Sequence, residues 1–359
     1  MSAPAITVAM SVYNNAAWLR EAVDSILAQT FADFEFVIVD DGSSDGSGAI
    51  LDDYAARDPR VRVIHQENRG LVASLNRIVA EARAPLLARM DGDDIALPQR
   101  FERQVAFFAA RPDYGVVGTS THDMDEEGRV IEATDFHPLD HETFVASLDR
   151  GTLLCHSSVM MRTAELRAVG GYRAAFRHCE DYDLWLRLCE RTKLCSIRDR
   201  LLLYRRSAGQ VSSAHAFEQR IGAAIARAAH DERAAGRPDP TEGLTRLPPL
   251  EELDALFGRE GVARQVRERA ALGLLYSKGA MRAGAFDMLI RHIREAGAPP
   301  GQWRTVARLL KWRDPVRAVR LAVALAGAHR VSGRMSHGRQ ATPSRFGKRP
   351  LSKMESPIN

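Results

Sequence analysis

The feature that most constrains this 359-residue chain is an alternation, over residues 5 to about 120, of short β-rich runs with helical patterns. Periodicity predicts strands at Ile6 to Val12, Phe34 to Val39, Val61 to His65, Pro85 to Met90 and Tyr114 to Thr119. Between them, Ala16 to Gln29, Asp45 to Arg57, Gly70 to Arg83 and Pro98 to Ala110 are predicted helices, the last opening on a proline in the favoured first turn. Strands apolar along their whole length must be covered on both faces. The expectation is therefore an α/β fold, a doubly wound open sheet flanked by helices.

Downstream the pattern loosens. Residues 120–212 predict a hairpin around Glu127-Gly128, a strand around Ser157 to Met161, a helix over Glu180 to Arg191 and a strand over Leu201 to Tyr204. A helix over Ala214 to Arg233 would complete a first domain, residues 1–235, with one half at about 1–120 and the other at about 120–212. Gly236-Arg237-Pro238-Asp239-Pro240 and Pro248-Pro249 suggest a linker over 236–249. Residues 250–330 read as an α-helical domain, and the Ser-, Gly-, Arg- and Lys-rich residues 331–359 as a basic, disordered tail.

The net charge of +4 hides an asymmetry. From Gly301 onward 13 Lys/Arg face only Asp314 and Glu355, a net +11 that leaves −7 for the first 300 residues. That balance excludes a nucleic-acid-coating role for the main domain, and no nucleic-acid partner is expected. The four cysteines form no C-x-x-C pair, and Met1-Ser2-Ala3-Pro4 does not resemble the start of a secretory signal, so a cytoplasmic chain is expected. The apolar run Leu321 to Ala328 is far shorter than the roughly 20 residues that span a bilayer.

In an open parallel sheet, ligands bind beyond the carboxyl ends of the strands. Three such ends are loaded with polar groups: Ser11-Val12-Tyr13-Asn14, Asp40-Asp41-Gly42-Ser43-Ser44-Asp45 and Asp91-Gly92-Asp93-Asp94. The second is either a turn with a helix N-cap or a site where Asp41 accepts a hydrogen bond from a base N–H beneath the Tyr13 ring. In the third, like charges about 4 Å apart repel by roughly 1 kcal/mol in water and about 4 kcal/mol at a protein-surface dielectric. Three carboxylates in four residues suit a hard cation such as Mg²⁺ or Mn²⁺ held together with substrate phosphates. The alternative is a solvated acidic loop capping the next helix. In Cys179-Glu180-Asp181-Tyr182-Asp183-Leu184-Trp185, helical spacing puts Asp181 in the apolar stripe and Glu180 and Asp183 off it. Asp181 is then an N-cap or a base at a pocket wall. His156 is either a packed core residue or a secondary site residue. No P-loop, dinucleotide fingerprint or zinc motif is present.

Together these residues resemble the family 2 glycosyltransferases of the GT-A fold, of the bacterial non-processive type. The resemblance covers about residues 5–212. It rests on Ser11-Val12-Tyr13-Asn14, Ser25-Ile26-Leu27-Ala28-Gln29-Thr30-Phe31, Val39-Asp40-Asp41-Gly42-Ser43-Ser44-Asp45, Glu67-Asn68-Arg69-Gly70, Asp91-Gly92-Asp93-Asp94 and Glu180-Asp181 in this order. It implies a Rossmann-like open mixed sheet and an inverting, metal-dependent transfer from a nucleotide sugar donor, usually a UDP-sugar, to a glycan or lipid-linked acceptor in polysaccharide synthesis. By the same resemblance Ser11 and Tyr13 border the base, Asp41 reads its N–H and Asp91 contacts the ribose. Asp93 binds Mn²⁺ or Mg²⁺, Asp94 supports it and Asp181 is the general base. Many relatives carry Y-R-x-H after the base helix, whereas here Tyr204-Arg205-Arg206-Ser207 ends in serine, leaving Arg205 or Arg206 to supply charge. Two rival readings are a catalytically silent sugar-nucleotide-binding protein and a sugar nucleotidyltransferase, the latter lacking its Gly-rich phosphate loop. Basic residues Arg304, Arg308, Lys311, Arg313, Arg317 and Arg320 interleave with Trp303, Leu309, Leu310, Trp312, Val319, Leu321 and Val323. That pattern fits either solvent-facing helices or peripheral contact with an anionic membrane, at the inner face for a cytoplasmic chain.

Overall fold

The computed structural model describes residues 3–134, 140–150, 154–207, 215–274, 281–297 and 302–335. The two most apolar runs become β1 (Ile6–Val12) and β2 (Phe34–Asp40), buried along almost their whole length. They pair in parallel with each other, β2 with β3 (Val61–His65), and β1 with β4 (Leu86–Asp91). The other strands are β5 (Ile95–Ala96), β6 (Tyr114–Met124), β7 (Val130–Thr134), β8 (Met160–Arg162) and β9 (Lys193–Arg205). The sheet order is β3-β2-β1-β4-β8-β6-β9-β5, with β7 paired to β6. The sheet is mixed because β8 runs antiparallel to both β4 and β6, while β6 and β9 are parallel.

Helices α1 (Leu19–Leu27), α2 (Ser47–Arg57), α3 (Leu71–Glu81) and α4 (Arg100–Ala110) fall where the periodicity places them, each shorter than expected by frayed or capping residues. Val8, Met10, Leu19, Val23, Phe36 and Phe101 are among the side chains of the resulting core. Next come α5 (His141–Ala146), α6 (Thr163–Ala168), α7 (Glu180–Leu188) and α8 (Ala216–Ala234). The open α/β sheet and the β6–β7 hairpin match expectation. The last strand does not: β9 has 13 residues where four were read.

Residues 236–249 are not a free linker. The Asp239 side chain is only 5% exposed, and its carboxylate accepts from Arg173 at 2.8 Å, Arg233 at 2.6 Å and the Thr241 hydroxyl at 2.6 Å. The prolines fix the backbone of this docked segment, while Gly236 permits the left-handed φ of 72° with which it begins. This first compact unit runs to Ala285 and includes α9 (Leu253–Leu256) and α10 (Val262–Leu274). A second unit begins at Phe286, with α11 (Phe286–Ala296), α12 (Trp303–Lys311) and α13 (Pro315–Met335). The C-terminal region is thus helical, and α13 reaches five residues into the expected tail. Residues 336–359 of that tail lie outside the described residues. Among the described residues no helix is long and apolar enough to cross a membrane.

Candidate active site

Parallel register brings the polar strand ends to one edge. Ser11 of β1 stands between Val39 of β2 and Asp91 of β4. The loops beyond are tied together: Asn14 Oδ1 accepts from the Ser44 amide at 2.9 Å, the Asn14 amide donates to the Ser43 hydroxyl at 3.0 Å, and the Asn15 amide donates to Ser47 at 3.0 Å. Asn14 adopts a left-handed φ of 55°, leaving the next-door Tyr13 ring 53% exposed. Gly42 has a φ of 78°, and a Cβ there would stand 2.8 Å from the Asn68 amide nitrogen, so only glycine fits.

Asp41 is buried and does more than the turn required. Its Oδ1 accepts from Gln66 Nε2 at 2.7 Å and the Arg69 amide at 2.8 Å, and its Oδ2 from the Gly70 amide at 2.7 Å. It does not cap α2, whose N-cap is Gly46. The motif Glu67-Asn68-Arg69-Gly70 is thereby fastened to the end of β2.

The acidic turn follows β4, and Asp91 is the strand's own last residue. One oxygen from each of Asp91, Asp93 and Asp94 lies within 4.8 Å of the others. Asp94 is almost fully buried. Its Oδ1 accepts from the Arg205 amide at 2.9 Å, and its Oδ2 is buried with no hydrogen-bond partner. Burial, and then the neighbouring Asp91 charge, push Asp93 up to about 6. Burial, Asp93 and Asp91 push Asp94 well above the ordinary carboxylate range. An orphaned oxygen and two acids held against their own charge fit a hard divalent cation.

Sequence reasoning missed the cation already in place. Arg89, buried in β4, pairs with Asp91 two residues on along the same face of the strand. Burial opposes its charge, but Asp91 holds the guanidinium above its ordinary value. The available signal was a charged residue inside Leu86-Leu87-Ala88-Arg89-Met90, since a buried charge in a strand must be paired. His156 is a neutral wall residue: its Nε2 lies 2.9 Å from the Tyr172 hydroxyl and its ring meets Trp185 edge-on. Burial and then Arg89 depress its pKa well below the usual histidine value.

Helix α7 does not bury a single stripe with Asp181 in it. Glu180, Asp183 and every residue from Tyr182 to Leu188 are buried, and Asp181 is the partly open one. A helix enclosed on all sides has no single buried face, so Asp181 faces the opening rather than the core. It is not the N-cap either: that position is Cys179, and Asp181 Oδ1 accepts from the Tyr182 amide at 2.7 Å. Burial pushes Asp181 up to about 6, against the pull of Arg89, and burial with the Asp181 charge pushes Glu180 up to about 7. Arg89 and Asp91 both act on Asp181, so the head of α7 and the acidic turn share one electrostatic neighbourhood.

Arg205 is a brace. Its Nε donates to the Asp93 carbonyl at 2.8 Å, Nη1 to the Glu126 carbonyl at 2.9 Å and Nη2 to Glu21 at 2.7 Å, with the guanidinium over the Trp18 ring. Arg206 is half-exposed, stacks on Tyr204 and pairs with Asp123 at 2.7 Å. Ser207 is partly buried at the position beyond them.

A family model described as Glycosyl transferase family 2 matches residues 7–168. The chain is 38% identical over 193 residues to the "Putative glycosyltransferase EpsE" of Bacillus subtilis (strain 168), covering 53% of this chain and 68% of that protein. It is 31% identical over 204 residues to the "O-antigen biosynthesis glycosyltransferase WbnJ" of Escherichia coli, covering 56% of this chain and 79% of that one. Its fold is similar to the crystal structure of S. aureus TarS 1–349 in complex with UDP-GlcNAc, with a TM-score of 0.54 and 15% identity over 93% of this chain and 92% of that one. That likeness assigns the mixed sheet to the GT-A fold. On the strength of these relatives, the chain belongs to glycosyltransferase family 2.

Proposed function

We propose that the protein transfers a glycosyl group, with inversion, from a nucleoside diphosphate sugar of the uridine or a related type. The acceptor is a hydroxyl of a glycan or lipid-linked acceptor in cell-surface polysaccharide synthesis. The observation that carries this reading is the convergence of the Asp91, Asp93 and Asp94 oxygens, one of them buried without a partner, beside the ionisable head of α7. The UDP-GlcNAc in the TarS complex and the O-antigen role in the WbnJ description support the donor and acceptor classes.

Asp93, with Asp91 and Asp94, would hold Mn²⁺ or Mg²⁺. When bound, the ion supplies positive charge against the donor diphosphate. The exposed Tyr13 ring covers one face of the base and Ser11 borders it. The Oδ2 lone pair of Asp41 not used by Gly70 accepts the base N–H, and Asp91 contacts the ribose. Asp181, ionised at neutral pH, takes the proton of the acceptor hydroxyl as its oxygen bonds to the anomeric carbon. The bond from that carbon to the diphosphate oxygen breaks, and its electron pair departs with the nucleoside diphosphate. The half-exposed Arg206 provides charge near Ser207.

The test is a panel of nucleotide sugars with Mn²⁺, read by thermal stabilisation and by product. One donor should stabilise the natural protein, and Asp93→Ala should abolish that response. Asp181→Asn should keep donor binding and lose transfer. Release of pyrophosphate would identify a nucleotidyltransferase instead, and binding without any release a silent binder.

A further inference from the structure

Three residues before Asp181 the chain turns through a left-handed backbone at His178, with a φ of 69°. That conformation is uncommon outside glycine and is strained. The turn brings His178 beside the start of α8, where His215 is the N-cap residue and Glu218 lies in the first turn. A ligand atom from each of the three lies within 4.8 Å of the other two. His178 Nε2 is 3.6 Å and His215 Nδ1 is 3.4 Å from the same Glu218 oxygen, Oε2. In a tetrahedral shell with bonds of about 2.0–2.1 Å, neighbouring ligand atoms stand about 3.3–3.4 Å apart. Two edges of such a shell are therefore nearly in place. The two imidazoles are stacked at 4.0 Å and 11°, and the third edge closes when they tilt toward each other.

A further observation points to a ligand. The His178 side chain is only 10% exposed and its Nε2 has no hydrogen-bond partner, although buried polar atoms are nearly always satisfied. His215 and Glu218 are more open, at 41% and 65%, and leave a path for an ion to enter.

We propose that His178, His215 and Glu218 form a second, structural divalent-cation site of the zinc type, separate from the Asp91–Asp94 cluster. Two imidazoles and a carboxylate are a borderline-soft set that favours Zn²⁺ over Mg²⁺, with the fourth position taken by water. The ion clamps the start of α7 to the start of α8 and so fixes the helix head that carries Asp181. These three residues position and do not touch the reacting atoms.

The experiment uses the full chain, stripped with a chelator and reloaded with Zn²⁺ alone or Co²⁺ alone. Metal content is measured by elemental analysis, and the cobalt form by its visible absorption. The natural protein and Asp93→Asn should each retain one zinc and show the intense band of four-coordinate cobalt. His215→Ala and Glu218→Gln should lose both, and His178→Asn, which tolerates the left-handed backbone, should behave likewise. Zinc content and cobalt spectrum unchanged in His215→Ala, or no zinc in the natural protein, would overturn the proposal. Failure of the transferase reading would appear instead as absent donor-dependent product with zinc content intact. If His178→Asn does not fold, the two more exposed variants decide.

Discussion

Asp93 and Asp94 are acids whose charge the fold opposes, chiefly by burial. Because their folded-state pKa values lie above those of the unfolded chain, the folded state favours the protonated forms. That contribution is fully present below about pH 4 and is lost for Asp93 as pH rises through about 6, with Asp94 shifted in the same direction. A cation needs the ionised forms, so its affinity climbs over the same range. In chelated protein, Tm should therefore fall from about pH 5 to about pH 7 more steeply in the natural chain than in Asp93→Asn. The rise in Tm caused by Mn²⁺ should grow over that interval, and an equal rise at both ends would refute the assignment. These acids were legible in the sequence because they interrupt apolar strands at their carboxyl ends. The hydrogen-bond shell of Asp41 was not, because its donors Gln66, Arg69 and Gly70 lie 25 to 29 residues away and only folding brings them in.

Helix α7 shows how far periodicity reaches. Its boundaries were readable to within three residues, but its orientation was not, since enclosure on every side removes the polar face that the stripe argument needs. What secures it is a buried pair: Asp183 accepts from Arg187 at 2.8 and 2.9 Å, and Arg187 also donates to the Val169 and Gly171 carbonyls. Removing one partner strands the other charge in the interior. Asp183→Ala should cost about 3–5 kcal/mol in urea denaturation, and a loss below about 1 kcal/mol would show that the pair is dispensable. Strand β9 was under-read for a related reason. Arg198-Asp199-Arg200 breaks the alternation, and its pairing with β6 shifts register near Thr119 and Ser120. A bulged strand does not keep period two.

Across the whole molecule, charge is partitioned as the sequence indicates, with the basic excess in the C-terminal part. In the second unit, Ala318, Leu321 and Leu325 of α13 are buried, while Val316, Val319 and Val323 form an exposed stripe on another face. Arg320 lies along that stripe, and Trp303 and Leu310 of α12 are also exposed. Apolar side chains among cations are a composition that suits anionic lipid, and on that ground we propose peripheral membrane contact for this face. Replacing the three valines by serine should weaken co-sedimentation with phosphatidylglycerol vesicles by at least about tenfold, leaving nucleotide-sugar binding unchanged. Equal sedimentation of both proteins would place these helices elsewhere. Within the first unit, Arg205 braces the acidic turn from a strand more than a hundred residues later, gripping Glu21 and the Glu126 carbonyl at the same time. The two halves of the catalytic fold are consequently not interchangeable cassettes. A chimera that joined the first half of this chain to the second half of a relative would keep its acidic turn in shape only if an arginine returned at that one position.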